Sequence, residues 1–64
     1  MIEVLFTYRY QGQTHQREFK CVSAPGLGER VHIRHGGQMV VYAVHSVDWI
    51  FKDEGPVVVS VVLS

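Results

Sequence analysis

A chain of 64 residues has room for one small domain spanning residues 1–64, and a domain of this size buries only about 60% of the surface that its unfolded chain exposes. Its six basic and six acidic side chains give a formal net charge of zero, which disfavours a polyanion as the main partner because non-specific nucleic-acid binding depends on excess Lys and Arg. A single cysteine, Cys21, excludes an intrachain disulfide and a zinc site built from several thiolates, so we expect a reducing, cytoplasmic location.

Neither a targeting segment nor a membrane span is expected from the sequence. Residues 1–10 alternate early and carry the acidic Glu3, whereas a signal peptide starts with basic residues and continues in an unbroken apolar run. The longest apolar stretch, residues 57–63, is interrupted by Ser60 and is far shorter than the roughly 20 residues of a membrane-spanning helix. We therefore expect a soluble protein that has no contact with a membrane.

The first two predicted strands form a hairpin. From Ile2 to Tyr10, the even-numbered residues are apolar or aromatic and fall on one face. A two-residue turn at Gln11-Gly12 would pair Val4 with Phe19, whereas one more loop residue would move every side chain of the second strand to the wrong face. The tight turn is therefore predicted, and it obliges Arg17 to reach an edge of the sheet.

A glycine-rich loop and a second hairpin follow. Residues 23–28 are rich in turn-forming residues, with Leu27 as a candidate apolar plug beneath the loop. The next strand is predicted over Arg30–His35, where apolar and basic side chains alternate. Gly36-Gly37 then predicts another two-residue hairpin turn.

The fourth strand changes phase in its middle. Its first half places even-numbered residues inside, whereas Val47, Trp49 and Phe51 continue on the opposite parity. One extra residue near His45-Ser46, a β-bulge, resolves the conflict and bends the strand. Trp49 is then expected in the core, across from Val59 of a fifth strand that ends beside the first. The elements together predict an all-β fold, either a small five-stranded antiparallel meander or an SH3-like barrel.

Two segments carry a resemblance to known proteins. Residues 25–31 (PGLGERV) and 44–51 (VHSVDWIF), with a hairpin between them and a valine-rich strand after them, resemble small SH3-like barrels and are most similar to uncharacterised short proteins of prophages and integron cassettes. The resemblance implies a mobile-element protein and brings no catalytic motif. A plasmid-borne trimethoprim-resistant dihydrofolate reductase of this size uses a Val-Gln-Ile-Tyr run, whose nearest counterpart here, residues 59–62, has no glutamine or tyrosine.

No set of residues predicts catalysis, a cofactor or a metal. Asp53 and Glu54 lie in a polar turn, where acids are simply solvated, and Cys21 is expected inside as a small core residue. His32 and His35 are three residues apart on a strand, so their rings point to opposite faces and cannot share an ion. We therefore expect a protein that is not an enzyme.

Two surfaces are candidates for binding. The first is an apolar outer face formed by Leu5, Ile50, Val58 and Val62. Because Leu5, Val58 and Val62 fall on terminal strands that should be neighbours, they predict a partner surface. The favoured interpretation is a structural or protein-interaction module that forms homo-oligomers.

The alternative interpretation is a small-barrel nucleic-acid-binding protein. Its candidate residues are Arg30, His32 and Arg34, which form a basic stripe on the outer face of one strand, and Arg9 on the outer face of the first strand. Aromatic side chains that stack on bases must lie exposed beside such a stripe, but the strand pattern places most of them inside. Nucleic acid is therefore a possible partner that the sequence does not favour.

Overall fold

The computed structural model describes all 64 residues and contains five strands and no helix. The strands are β1 (Ile2–Tyr10), β2 (Gln13–Cys21), β3 (Arg30–His35), β4 (Gln38–Ile50) and β5 (Val58–Leu63). They form one sheet in the order β2-β1-β5-β4-β3, which curls strongly into a half barrel. The predicted all-β, five-stranded fold is confirmed. The chain contains no helix long and apolar enough to cross a membrane.

The strand directions correct the prediction of a purely antiparallel meander. β1 and β5 are parallel, whereas the other neighbouring strands are antiparallel. An odd number of strands that alternate in direction explains this, because the first and the last then point the same way when they pair. The sheet is open between β2 and β3, so residues 22–29 cross from one sheet edge to the other.

Both hairpins have the predicted two-residue turns. Gln11 and Gly12 have φ angles of 50° and 79°, and Gly36 and Gly37 have 59° and 80°. Positive φ at both central positions is typical of the type I′ turn, whose twist matches that of the flanking strands. The β1–β2 register follows from the first turn and is confirmed, with Val4 opposite Phe19.

The β-bulge in β4 is also confirmed. Val44 lies opposite Leu63 and Ser46 lies opposite Val62, so His45 is the extra residue on β4. The bulge bends β4 and directs the β3–β4 hairpin back over β1. There, the hydroxyl of Tyr42 donates a hydrogen bond to the main-chain oxygen of Arg9 at 2.8 Å.

The core is small and lies on the concave side of the sheet. Nine of the 64 residues are buried, and they are Val4, Phe6, Tyr8, Ile33, Tyr42, Val44, Val59, Val61 and Leu63. Cys21 is half-buried and packs against this cluster. Because 47% of the chain is hydrophobic, most apolar side chains remain at least partly exposed to solvent.

Predictions about the burial of three side chains, Trp49, Phe51 and Leu27, are wrong. Trp49 does lie opposite Val59, yet its side chain is 51% exposed. The ladder with β3 starts opposite Ala43, so the second half of β4 has no neighbouring strand on that side to cover the indole. Leu27 is 71% exposed and does not plug the loop.

Candidate functional site

The four apolar residues of the candidate interface lie together on the outer face of the sheet. Ile50 of β4 is opposite Val58 of β5. Leu5 of β1 is opposite Ser60, which separates Val58 from Val62 along β5. Three of them are half-buried and Ile50 is 42% exposed. We call this surface, made of Leu5, Ile50, Val58 and Val62, the outer patch.

Polar and charged side chains surround the outer patch. In the strand register, Glu3 lies opposite Val58 of β5 and opposite Lys20 of β2. Glu18 is opposite Leu5, and Asp48 is opposite Ser60. An apolar centre with a rim of mixed charge is the usual anatomy of a protein–protein interface.

Three consecutive apolar side chains are exposed at the end of β4 and just after it, although the strand pattern predicts two of them, Trp49 and Phe51, to lie inside. Trp49, Ile50 and Phe51 are 51%, 42% and 73% exposed. The rings of Trp49 and Phe51 are stacked, with centroids 6.3 Å apart and an angle of 16° between their planes. A comparison of strand lengths could have revealed this exposure, because β4 has 13 residues and β3 has only 6, so β3 cannot extend along the whole of β4.

The basic stripe is present on the outward side of the β3–β4 hairpin. Arg30, His32 and Arg34 are all exposed. The residues opposite them on β4 include Val41 and Met39, which are 50% and 52% exposed. The hairpin therefore presents a row of basic groups beside a row of apolar ones.

Arg9 is not seen to join this stripe, whereas an arginine that was not among the candidates lies beside it. The guanidinium of Arg9 donates to the Gly12 oxygen at 3.0 Å, within the β1–β2 turn. The guanidinium of Arg17 donates to the Arg34 oxygen at 2.7 Å and lies 5.1 Å from the centre of the Phe19 ring. The prediction that Arg17 must reach an edge is confirmed, and that edge is β3.

A cluster of tyrosine and histidine rings fills the gap between the two sheet edges. His15 of β2 and His35 of β3 have ring centroids 4.4 Å apart. The hydroxyl of Tyr8 lies 3.0 Å from Nδ1 of His35, and the Tyr10 ring centre lies 4.5 Å from that of His35. We call the gap between β2 and β3 the seam, since side chains join these strands where no backbone ladder does.

Tyr42 lies below this cluster. Burial, with smaller contributions from Tyr8 and Tyr10, raises the pKa of the Tyr42 phenol above its ordinary value of 10.0. A raised pKa means that the folded state favours the neutral phenol. The stabilisation is therefore complete below the ordinary pKa and is lost as the pH rises through the folded-state value.

The other candidate groups do not converge. His32 faces solvent while His35 faces Tyr8, so the two rings point to opposite faces as predicted. Asp53 and Glu54 are exposed, and no group of three or more His, Cys, Asp or Glu side chains is placed to hold a metal ion.

Comparisons of this chain with protein families, with curated proteins and with solved structures found no match.

Proposed function

We propose that this protein is a non-catalytic structural or protein-interaction module that self-associates through the outer patch. The observation that carries the proposal is the position of Leu5, Ile50, Val58 and Val62 on three adjacent strands, inside a polar rim. The resemblance to small barrels of prophages and integron cassettes supports a role as an accessory protein of a mobile element, acting in the cytoplasm.

A second copy of the chain is the partner that the surface fits best. A two-fold axis places the same patch on both sides of the interface, so an apolar centre meets an apolar centre. The formal net charge of zero removes long-range repulsion between copies. A standard interface needs about 800 Å² from each partner, which is less than a fifth of the 4513 Å² surface of this chain.

The outer patch is tested by Val62→Lys. Two-fold symmetry would bring two buried lysine charges into one interface, each without a partner, so the dissociation constant of the oligomer should rise at least tenfold and up to about 100-fold. The fold should be unchanged because Val62 lies on the outer face. Sedimentation and light scattering over a range of concentrations measure the effect.

The matched control is Val22→Lys, the same substitution at a side chain that is 85% exposed and lies outside the patch. We expect it to associate like the wild type. Equal weakening by both variants would show a general charge effect and contradict the proposal. A wild-type chain that stays monomeric at high micromolar concentration would also contradict it.

Nucleic-acid binding is the second candidate function, and the exposed row of Arg30, His32 and Arg34 favours it. Arg17 adds a fourth basic group beside Arg34. The exposed Trp49 lies beyond the bulge, away from the stripe, so phosphate contacts rather than base stacking would supply the affinity.

Replacing Arg30 and Arg34 together by Ala should flatten the salt dependence of binding. For a single strand, each lost phosphate contact reduces the magnitude of the slope of log K against log salt by about 0.7, so two lost contacts reduce it by about 1.4. The control is Lys20→Ala with Lys52→Ala, which removes the same charge outside the stripe and should change the slope less. Titration of labelled single-stranded DNA and RNA measures both, and an absence of wild-type binding at low salt would eliminate this candidate.

A further inference from the structure

We propose that His15 and His35 form a two-histidine site for a divalent transition-metal ion such as Zn²⁺, Ni²⁺ or Cu²⁺, which clips β2 to β3 across the seam. Imidazole is the ligand these ions share, whereas Mg²⁺ and Ca²⁺ prefer oxygen. The proposal is independent of the outer patch, which lies on the other face of the sheet.

The first argument is the position of the two rings. Their centroids are 4.4 Å apart and their planes differ by 57°. An ion about 2.0 to 2.1 Å from each nitrogen in tetrahedral geometry sets the ring centres roughly 5 Å apart. The seam would have to open by less than about 1 Å to admit such an ion, which a junction without a backbone ladder allows.

The second argument is that neighbouring rings orient both histidines. Tyr8 lies 3.0 Å from Nδ1 of His35, and a hydroxyl that accepts from Nδ1–H leaves the Nε2 lone pair free for a metal. Ligand histidines commonly have such a partner on their second nitrogen. The ring of His15 is stacked on Tyr8, with centroids 5.7 Å apart and an angle of 24°. It makes no hydrogen bond within the chain, so its nitrogens are available.

The third argument is that the seam lacks other strong links. The hydrogen bond from Arg17 to the Arg34 oxygen is the only one that joins β2 directly to β3. The 3.0 Å contact of Tyr8 with His35 and the 3.4 Å contact of Tyr10 with Gln38 both come from β1. No third His, Cys, Asp or Glu completes a ligand set, so water would fill the other coordination positions. The guanidinium of Arg17 is occupied by the Arg34 oxygen, and its positive charge lowers the affinity without blocking the imidazoles.

The test is thermal unfolding of the wild-type protein slightly above neutral pH, where imidazole is unprotonated and able to bind metal. The melting temperature should rise by about 10 to 20 °C when free Zn²⁺ or Ni²⁺ reaches about 100 times its dissociation constant. EDTA should reverse the rise, and Mg²⁺ should give none.

Variants then locate the site. His15→Gln and His35→Gln should each weaken metal binding, measured by calorimetric titration, at least tenfold. The matched control, His32→Gln with His45→Gln, removes the two exposed histidines and should bind like the wild type. Binding that is lost in the control, or that persists in both seam variants, would overturn the proposal.

A measurement on the unmodified protein covers the case in which a seam variant does not fold. Substoichiometric Cu²⁺ should broaden the ring NMR signals of His15 and His35 before those of His32 and His45. Equal broadening of all four histidines, or no broadening, would show adventitious surface binding only and refute the site.

Discussion

Replacing Tyr8 with Ala should lower the free energy of unfolding more than truncation of the exposed aromatic side chain of Trp49 does. The Tyr8 side chain is 1% exposed, and its ring centre lies 5.3 Å from that of Tyr42 and 5.8 Å from that of His35. Truncation of a large buried aromatic side chain costs about 3 to 5 kcal/mol. A domain of this length has roughly 3 to 10 kcal/mol of stability in total, and urea denaturation followed by circular dichroism measures the loss.

Two further variants test whether the loss of burial, rather than the loss of a hydroxyl contact or of ring size alone, explains the effect of Tyr8→Ala. Tyr8→Phe keeps the ring and removes the 3.0 Å contact with His35, so it should cost only about 0.5 to 1.5 kcal/mol. Trp49→Ala removes a larger ring that is 51% exposed, and it should cost less than about 2 kcal/mol, well below a buried aromatic truncation. A Trp49→Ala loss as large as that of Tyr8→Ala would contradict the burial described above.

The sequence allowed accurate prediction of local pairing. A two-residue turn fixes the register of its hairpin, and strict alternation in β1 tests that register, so Val4 and Phe19 could be paired correctly. The bulge at His45 could be located because the inward positions change from even to odd numbers at that point. Both deductions use the two-residue period of a strand, which is a property of the backbone.

The exposure of Trp49 and the open gap between β2 and β3 could not be predicted from strand parity. Parity gives the face of the sheet on which Trp49 lies, but not whether another strand covers it. Coverage depends on the relative lengths of β3 and β4, which parity does not use. The parallel β1–β5 pair and the open seam depend on which strands become edges. That choice is made by long-range curling, which no local pattern encodes.

The same distinction applies to the candidate surfaces. The outer patch and the stripe of Arg30, His32 and Arg34 could be predicted because each is a set of alternate residues on paired strands. The strand pattern could not show that Arg9 lies apart from the stripe, because the hydrogen bond from its guanidinium to the Gly12 oxygen depends on the side-chain conformation. His15 and His35 were not linked because they meet across the seam, between strands that share no ladder.

Deletion of His45 is expected to disrupt the tertiary structure while preserving the strand register. Val44 is opposite Leu63 and Ser46 is opposite Val62, so removal of the intervening residue leaves a regular antiparallel ladder with unchanged inward positions. It also removes the bend that the extra residue creates. The β3–β4 hairpin would then extend away from β1 instead of covering it.

The expected loss follows from the side chains that this hairpin buries. Ile33 and Tyr42 are 4% and 8% exposed, and each large side chain that loses its burial costs about 1.5 to 3 kcal/mol. Deletion should therefore cost at least about 3 kcal/mol, together with loss of the bond from Tyr42 to the Arg9 oxygen. His45→Ala is the control, because it keeps the bulge and alters only an exposed side chain, so it should stay within about 0.5 kcal/mol of the wild type. Urea denaturation and two-dimensional amide NMR compare the two variants. A deletion variant as stable as His45→Ala would show that β4 bends for a reason other than its extra residue.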